Sequence, residues 1–599
     1  MCGIVGYIGE REIKSWLIDG LKELEYRGYD SAGIAIMQNG AIRAFKAVGK
    51  LSNLDNKTKD FFTDGLGVGI GHTRWATHGK PTEINAHPHM GDYSYVVHNG
   101  IIENYRNIKS ELENIGVNFL SQTDTEVIVH LFEKKIDQHN DVFLAFKATI
   151  KRLEGAYAVL LITQKSPDTI FFARKGSPMI IGKNGDGEIF FASSDAPLIG
   201  EAKEVAYLED GTIGYAKPGF ICAEPMDLQF VLLSGDRLTA QKGGYRFFME
   251  KEIYEQYEVI SDTMIGRVLD DEIFFEEIDE SFLDGILRIK LCACGTSYHA
   301  ALVSSYLFER LSKMPVQVEI ASEFRYKEPL LTNDTLFIVI SQSGETADTL
   351  EALKMAKRSG LKTLAICNVD NSSIVRLADT TILTRAGIEK GVASTKAFAT
   401  QVMVLWMLSI YFGKRYGALN NDKIKKELEA MGHIPIVLKE ALEVHEKCKR
   451  LSKRYLHGHG FFFIGRDIFY PLALEGALKL KEISYLHAQG YPAGEMKHGP
   501  IALADAELFT IALMPKTLLY DKTKSNVEEL SARDSTILAI SPDIFELADD
   551  FILTHSHNHP MLEFFEMMVV LQLFSIEIAI RLGNDVDMPR NLAKSVTVE

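Results

Sequence analysis

Cysteine is scarce in this 599-residue chain: six are present, Cys2, Cys222, Cys292, Cys294, Cys367 and Cys448, none in the paired CxxC spacing of a zinc site. That excludes a disulfide-built scaffold and fits a reducing, cytoplasmic setting. Positive charge is also short. The net charge is -16 with a pI near 5.6, which leaves no basic surface to wrap a nucleic-acid backbone. The amino terminus, MCGIVGYIGERE, has no apolar run after a basic start and so does not read as a signal peptide. The best membrane candidate, residues 397–412, is shorter than the ~20 residues of a span and contains Thr400, Gln401 and Ser409. It reads as a buried core helix, so neither nucleic acid nor membrane is expected as a partner.

What is present is too much for one core. A chain this long with 46% hydrophobic residues should divide into about three domains. Two halves differ in texture, with a linker expected at residues 233–253, where Gly243 and Gly244 fall. Before it, short apolar runs at 67–70, 95–98 and 158–162 alternate with turn-rich stretches, the pattern of sheets with a few helices. After it, strand, glycine turn and helix alternate, as in RIKLCACGTSYHAALVSSYLFERL and TLFIVISQSGETADTLEALKMAK, the pattern of a parallel α/β sheet.

The second half also repeats itself. LADTTILT (377–384) returns as LADDFILT (547–554), and KLCACGTS and TLAICN have counterparts in FFFIGRDI and ILAISP, each about 170 residues later. Two tandem α/β domains are expected, at 279–420 and 451–589, followed by a tail, 590–599. Only the first copy carries SQSGET (341–346), where Met-Pro-Lys-Thr stands around Met514 in the second. Hydroxyls of Ser341, Ser343 and Thr346, with Gly344, between a strand and a helix N-terminus make a phosphate cradle; an ordinary Ser/Thr helix cap is the plainer alternative. The loop has no lysine, so it is not a nucleotide P-loop, and a phosphosugar suits it better than ATP.

Cys2 offers a different chemistry. Loss of Met1 would leave thiol and α-amine on one residue, and an amine with a pKa near 7.7–8.0 can take the thiol proton at neutral pH. A retained methionine would acylate that amine. An isolated cysteine near a terminus is more often a small buried residue, so its context decides.

That context is MCGIVGYIG with EYRGYDSAGIA (25–35), GHTRWATHG (71–79), NAHPH (85–89), HNGIIENY (98–105) and SQTDTE (121–126). In this order the segments resemble the N-terminal-nucleophile glutamine amidotransferases. The resemblance implies an α+β sandwich of two sheets between helices over residues 1–232. It also implies Cys2 as nucleophile, Asn99 and Gly100 as oxyanion hole, Arg74, Thr77, His78 and Asp124 as the glutamine site, and Trp75 at an ammonia channel. The chemistry agrees: a guanidinium grips the α-carboxylate of glutamine, a carboxylate pairs its α-ammonium, and an amide with a backbone N–H holds a tetrahedral oxyanion.

CGTS (294–297) and SQSGET in duplicated domains resemble the sugar isomerase (SIS) fold, so two tandem α/β SIS domains with parallel sheets are expected. EKGVASTKAF (389–398), EGALKLKEISYLHAQGYPAGEMKHGP (475–500) and DVDMPRNLAKSVTVE (585–599) extend the resemblance across the chain to the bacterial glucosamine-6-phosphate synthases. The reaction implied takes L-glutamine and D-fructose 6-phosphate to D-glucosamine 6-phosphate and L-glutamate, the first step toward UDP-N-acetylglucosamine. By the same likeness Ser341, Gln342, Ser343 and Thr346 hold phosphate, and Ser297, Val392, Ser394 and Ala593 surround the sugar. His498 opens the ring, Glu482 moves a proton between C1 and C2, Lys479 supports developing charge and Lys594 forms an imine. A homodimer with His498 shared across its interface is implied as well.

Lys479 and Glu482, three apart on a helix, share a face, although spacing alone favours a surface salt bridge. No metal or organic cofactor is expected, since thiol, amine, carboxylate and imidazole cover each step. Two rivals stay open: an ammonia-using deaminase or deglycase with an inert amino-terminal domain, and a non-catalytic sugar-phosphate sensor, although no DNA-binding helix-turn-helix can be located.

Overall fold

The computed structural model describes residues 2–76, 78–139, 141–233 and 242–597. The chain divides into two compact units near residue 240, with the tail from Ala593 onward belonging to the first. The expected linker, 233–253, overlaps the undescribed stretch 234–241, and its last part opens the helix Phe248–Tyr254.

The first unit holds two sheets, one of eight strands and one of six, antiparallel in every pairing. Strand alternation explains their stacking. In Gly3–Gly9, Ile4 and Ile8 share a core with Val97, Ala158, Leu160 and Ile162 of the six-stranded sheet, while Val5 and Tyr7 pack on Ile13, Leu17 and Leu21 of the helix Ile13–Lys22. The six-stranded sheet turns Val96, Val159 and Leu161 outward onto the helices Tyr105–Asn114, Glu126–Ile136 and Val142–Ile150. The result is two sheets between helices. GVGIGHTR (67–74) shows how sequence sets the spacing: a Cβ on Gly69 would meet Ile13 and Leu17 at 2.7 and 2.8 Å, so glycine on the outer face seats the helix close to the sheet.

The second unit holds two five-stranded parallel sheets with the same strand order. From one edge, the first runs Val316–Ile320, Arg288–Ala293, Thr335–Ser341, Lys362–Cys367, Thr380–Leu383. The second runs Ala488–Pro492, Gly460–Gly465, Leu508–Leu513, Thr536–Ser541, Asp550–Leu553. This confirms the internal repeat. Residues 397–412 lie inside the helix Lys396–Arg415, which is long and apolar enough to cross a membrane by composition but is buried in the core the two sheets share. The helices Asn421–Ala441 and Pro560–Arg581 complete that core.

Candidate active sites

Strand parity carries three functional side chains to one end of the first unit. Cys2 continues the inward row of Ile4 and Ile8, Arg74 that of Val68 and Ile70, and Asn99 that of Val97, while pairing of Gly3 with Thr73 sets Cys2 beside Arg74. The Trp75 backbone N–H donates to Cys2 Sγ at 3.3 Å, and Asn99 Nδ2 donates to the Cys2 carbonyl at 3.0 Å. An amide nitrogen has two protons, so Asn99 keeps one for another acceptor. Burial pushes the Cys2 thiol up; the Trp75 N–H and the Arg74 guanidinium pull it down.

Arg74 is buried, donates through Nη2 to the carbonyls of His78 and Gly79, and has an Nη1 with no hydrogen-bond partner among the described residues. Asp124 is also buried, and one of its oxygens accepts the Ile102 N–H at 2.8 Å. His78 and Trp75 are half-buried, Gly100 has a φ of +131°, and Thr77 lies outside the described residues. One partner escaped sequence reasoning: Asp30 accepts the Ala76 N–H at 2.8 Å and so pins the turn after Arg74.

In the second unit, strand order reverses between Arg288–Ala293 and Thr335–Ser341, the crevice where α/β sheets take their ligands. CGTS and SQSGET are the two segments at those carboxyl ends. Gly344 has a φ of +66°, and a Cβ there would meet Ser372 Oγ at 1.9 Å. Ser341 Oγ accepts the Gly344 N–H at 3.0 Å and Ser343 Oγ the Glu345 N–H at 3.2 Å. Thr346, at the N-cap of Ala347–Arg358, makes no side-chain capping bond, so the plain helix-cap reading fails for it.

The helix Phe469–Ser484 supplies the charged groups. Lys479 is 1% exposed, lies 2.8 Å from Glu482 and 3.3 Å from Glu475, and donates to Thr296 Oγ1 at 3.1 Å. Thr296 and His299 in turn contact Glu475 at 3.0 and 2.7 Å. Burial alone would lower the Lys479 pKa; attraction by Glu475 and then Glu482 overrides it, so the ammonium persists. The Lys479–Glu482 pair is therefore real but not the surface salt bridge that spacing favours. Glu475 and His299 were missed, and no local pattern announces a contact between residues so far apart in the chain.

Ser297 and Val392 are buried, Ser394 Oγ donates to buried Glu389 at 3.0 Å, and Gln342 is half-buried. His498 is exposed at the end of the 3-10 helix Ala493–His498. Ala593 and Lys594 belong to the first compact unit, not to the one that holds Lys479 and Glu482.

Residues 72–200 match the glutamine amidotransferase domain family, and residues 285–411 and 458–580 each match the SIS domain family. The chain is 64% identical over 603 residues to glutamine–fructose-6-phosphate aminotransferase (isomerizing) of Campylobacter jejuni subsp. jejuni, covering 100% of both chains. It is 53% identical over 606 residues to the enzyme of that name from Helicobacter pylori, again covering 100% of both. A solved C-terminal domain of glucosamine-fructose-6-phosphate aminotransferase from Francisella tularensis is similar at 39% identity and a TM-score of 0.56, over 58% of this chain and 99% of that one. With both half-sites and this full-length similarity, the chain belongs to the glutamine–fructose-6-phosphate aminotransferase (isomerizing) family.

Proposed function

We infer that this chain transfers the amide nitrogen of L-glutamine to D-fructose 6-phosphate with ketose-to-aldose isomerisation, releasing L-glutamate and D-glucosamine 6-phosphate. One observation carries the reading: a buried Lys479 between two carboxylates in an SIS fold, on the same chain as a cysteine set beside a buried arginine.

On the glutaminase side, removal of Met1 exposes the Cys2 amine, which takes the thiol proton as sulfur attacks the glutamine amide. Arg74 grips the α-carboxylate through the guanidinium edge that the His78 and Gly79 carbonyls leave available, and Asp124 pairs the α-ammonium. Thr77 and His78 complete this pocket. The remaining Asn99 amide proton and the Gly100 N–H stabilise the tetrahedral oxyanion. Ammonia leaves past Trp75, a glutamyl thioester remains, and water frees glutamate.

On the sugar side, Ser341, Gln342, Ser343 and Thr346 hold the phosphate against the positive end of the helix Ala347–Arg358, and Ser297, Val392 and Ser394 line the sugar. The partner subunit's His498 opens the ring, which makes the working form a homodimer. Lys594 forms the sugar imine, Glu482 carries the proton between C1 and C2, and the Lys479 ammonium stabilises the charge that develops meanwhile. All six cysteines are free, as a cytoplasmic setting requires.

Replacing the nucleophile separates the two halves. Cys2→Ala is expected to abolish glutamine-dependent amino-sugar formation while fructose 6-phosphate still binds, read by glutamate release and by calorimetry. Glutamate release at the parental rate would remove Cys2 from the mechanism.

A further inference from the structure

The segment THSHNHP (554–560) joins the last parallel strand, Asp550–Leu553, to the helix Pro560–Arg581, and the reaction above makes no use of it. Two of its three histidines converge on one carboxylate. His555 Nδ1 lies 2.8 Å from Glu566 Oε1 and His557 Nε2 lies 2.7 Å from Glu566 Oε2. The ligand atoms of all three lie within 4.8 Å of one another. The His555 backbone N–H also donates to Glu566, at 2.9 and 3.1 Å, which fixes the carboxylate toward the loop. The third histidine is committed elsewhere: His559 stacks on Trp406 and faces Glu427.

Charge makes this cluster unusual. The Glu566 side chain is 0% exposed, and no lysine or arginine pairs with it among the described residues. A second cluster of similar composition, Glu250, His445 and Glu577, already holds a cation, because Arg246 lies 2.8 Å from Glu577. A fully buried carboxylate held by two imidazoles and one backbone N–H needs a positive charge beside it, which either a protonated imidazole or a bound metal ion supplies. The hydrogen bond to Glu566 is the main influence that pushes the His555 imidazole up, and Glu440 and Glu443 add negative potential there.

We propose that His555 Nδ1, His557 Nε2 and the Glu566 carboxylate form a three-ligand site for a divalent transition-metal ion of the zinc class, with solvent in the fourth position. Two imidazoles and one carboxylate are a zinc ligand set, and metal–ligand bonds of about 2.0–2.2 Å in a tetrahedron separate the ligand atoms by roughly 3.3–3.6 Å, only slightly more than the present contacts. His555, with a side chain 54% exposed, is the entry side, and His557 at 11% and Glu566 at 0% are the inner wall. Bound there, the ion clips the loop after the last strand onto the second turn of the helix. It takes no part in amide transfer.

The test uses the full-length, metal-stripped protein and the double variant His555→Ala/His557→Ala, titrated with zinc chloride by calorimetry and with cobalt(II) by visible absorption. Because the double variant leaves buried Glu566 with only the His555 backbone N–H among its described partners, Glu566→Gln, which removes the charge and keeps the hydrogen-bonding shape, is titrated beside it, and metal-free amino-sugar formation by Glu566→Gln should equal the parent's. The expected result is one more zinc ion bound per parent chain than per variant chain. Affinity at that site should drop by more than the roughly 10–100-fold that loss of an outer-shell partner costs, because two direct ligands are gone. Four-coordinate cobalt bands and a zinc-induced rise in Tm should appear in the parent alone. Equal stoichiometry in the two proteins, or cobalt spectra that do not distinguish them, overturns the assignment.

Discussion

Lys479 keeps its charge in the interior of the second unit only because Glu475 and Glu482 flank it. Lys479→Met should therefore do more than remove a proposed catalytic group. It leaves buried Glu475 with only Thr296 and His299 among its described partners, and removing one partner of a buried ion pair costs up to ~3–5 kcal/mol. The expected outcome is amino-sugar formation lost, glutaminase turnover retained and a lower urea midpoint; an unchanged midpoint would mean the carboxylates are not dependent on the lysine. The first unit stores a different sensitivity. Burial holds His72 down to about 3 and His87 and His89 well below the usual imidazole range, with the His72 and His87 rings 3.9 Å apart. These rings stay neutral when folded, whereas the unfolded chain protonates them below about 6.5. Their stabilisation is thus complete above that pH and is lost as pH falls toward 3. Tm of the amino-terminal unit should drop between pH 7.5 and 5, before most carboxylates titrate, and a flat Tm over that range would contradict the burial argument. Of these residues, Lys479 could be singled out from its motif, but its Glu475–Thr296–His299 surroundings could not, because they join helices remote in sequence.

Elements were legible where periodicity was strong. The apolar runs at 67–70, 95–98 and 158–162 lie in the strands Gly67–Arg74, Ser94–Ile102 and Gly155–Thr163. Each strand outruns its apolar run, because polar residues such as His72, Arg74 and Asn99 continue the alternation into the site. That is why hydropathy hides the polar ends of strands. The 397–412 stretch was readable as a core helix from Thr400, Gln401 and Ser409 within it, although the helix that contains it, Lys396–Arg415, runs to 20 residues. The hydroxyl-rich loop at 341–346 was open to two readings, of which the plain helix cap does not hold for Thr346. Gly344→Ala tests that element. The positive φ and the clash with Ser372 impose about 1–3 kcal/mol of strain. KM for fructose 6-phosphate is expected to rise roughly 10-fold, which is about 1.4 kcal/mol, with KM for glutamine unchanged. Equal KM values for the sugar would separate Gly344 from the cradle.

On the scale of the whole molecule, duplication gives the second unit its two sheets of identical order and a shared core, while divergence leaves the hydroxyl-rich loop in one copy only. The repeat was readable because three short segments return in order. The helix Asn421–Ala441, which packs on the helices Pro560–Arg581 and Gln256–Met264, was not, since it has no counterpart in the repeat. The central claim is that one chain couples glutamine hydrolysis to amination of a phosphosugar. The most direct measurement supplies glutamine labelled with nitrogen-15 at the amide together with fructose 6-phosphate, in an excess of unlabelled ammonium, and follows the amino sugar by mass spectrometry. Glucosamine 6-phosphate carrying the label at nearly full enrichment is the predicted result. Product diluted by the unlabelled ammonium, or glutamate released with no amino sugar, would contradict the coupling.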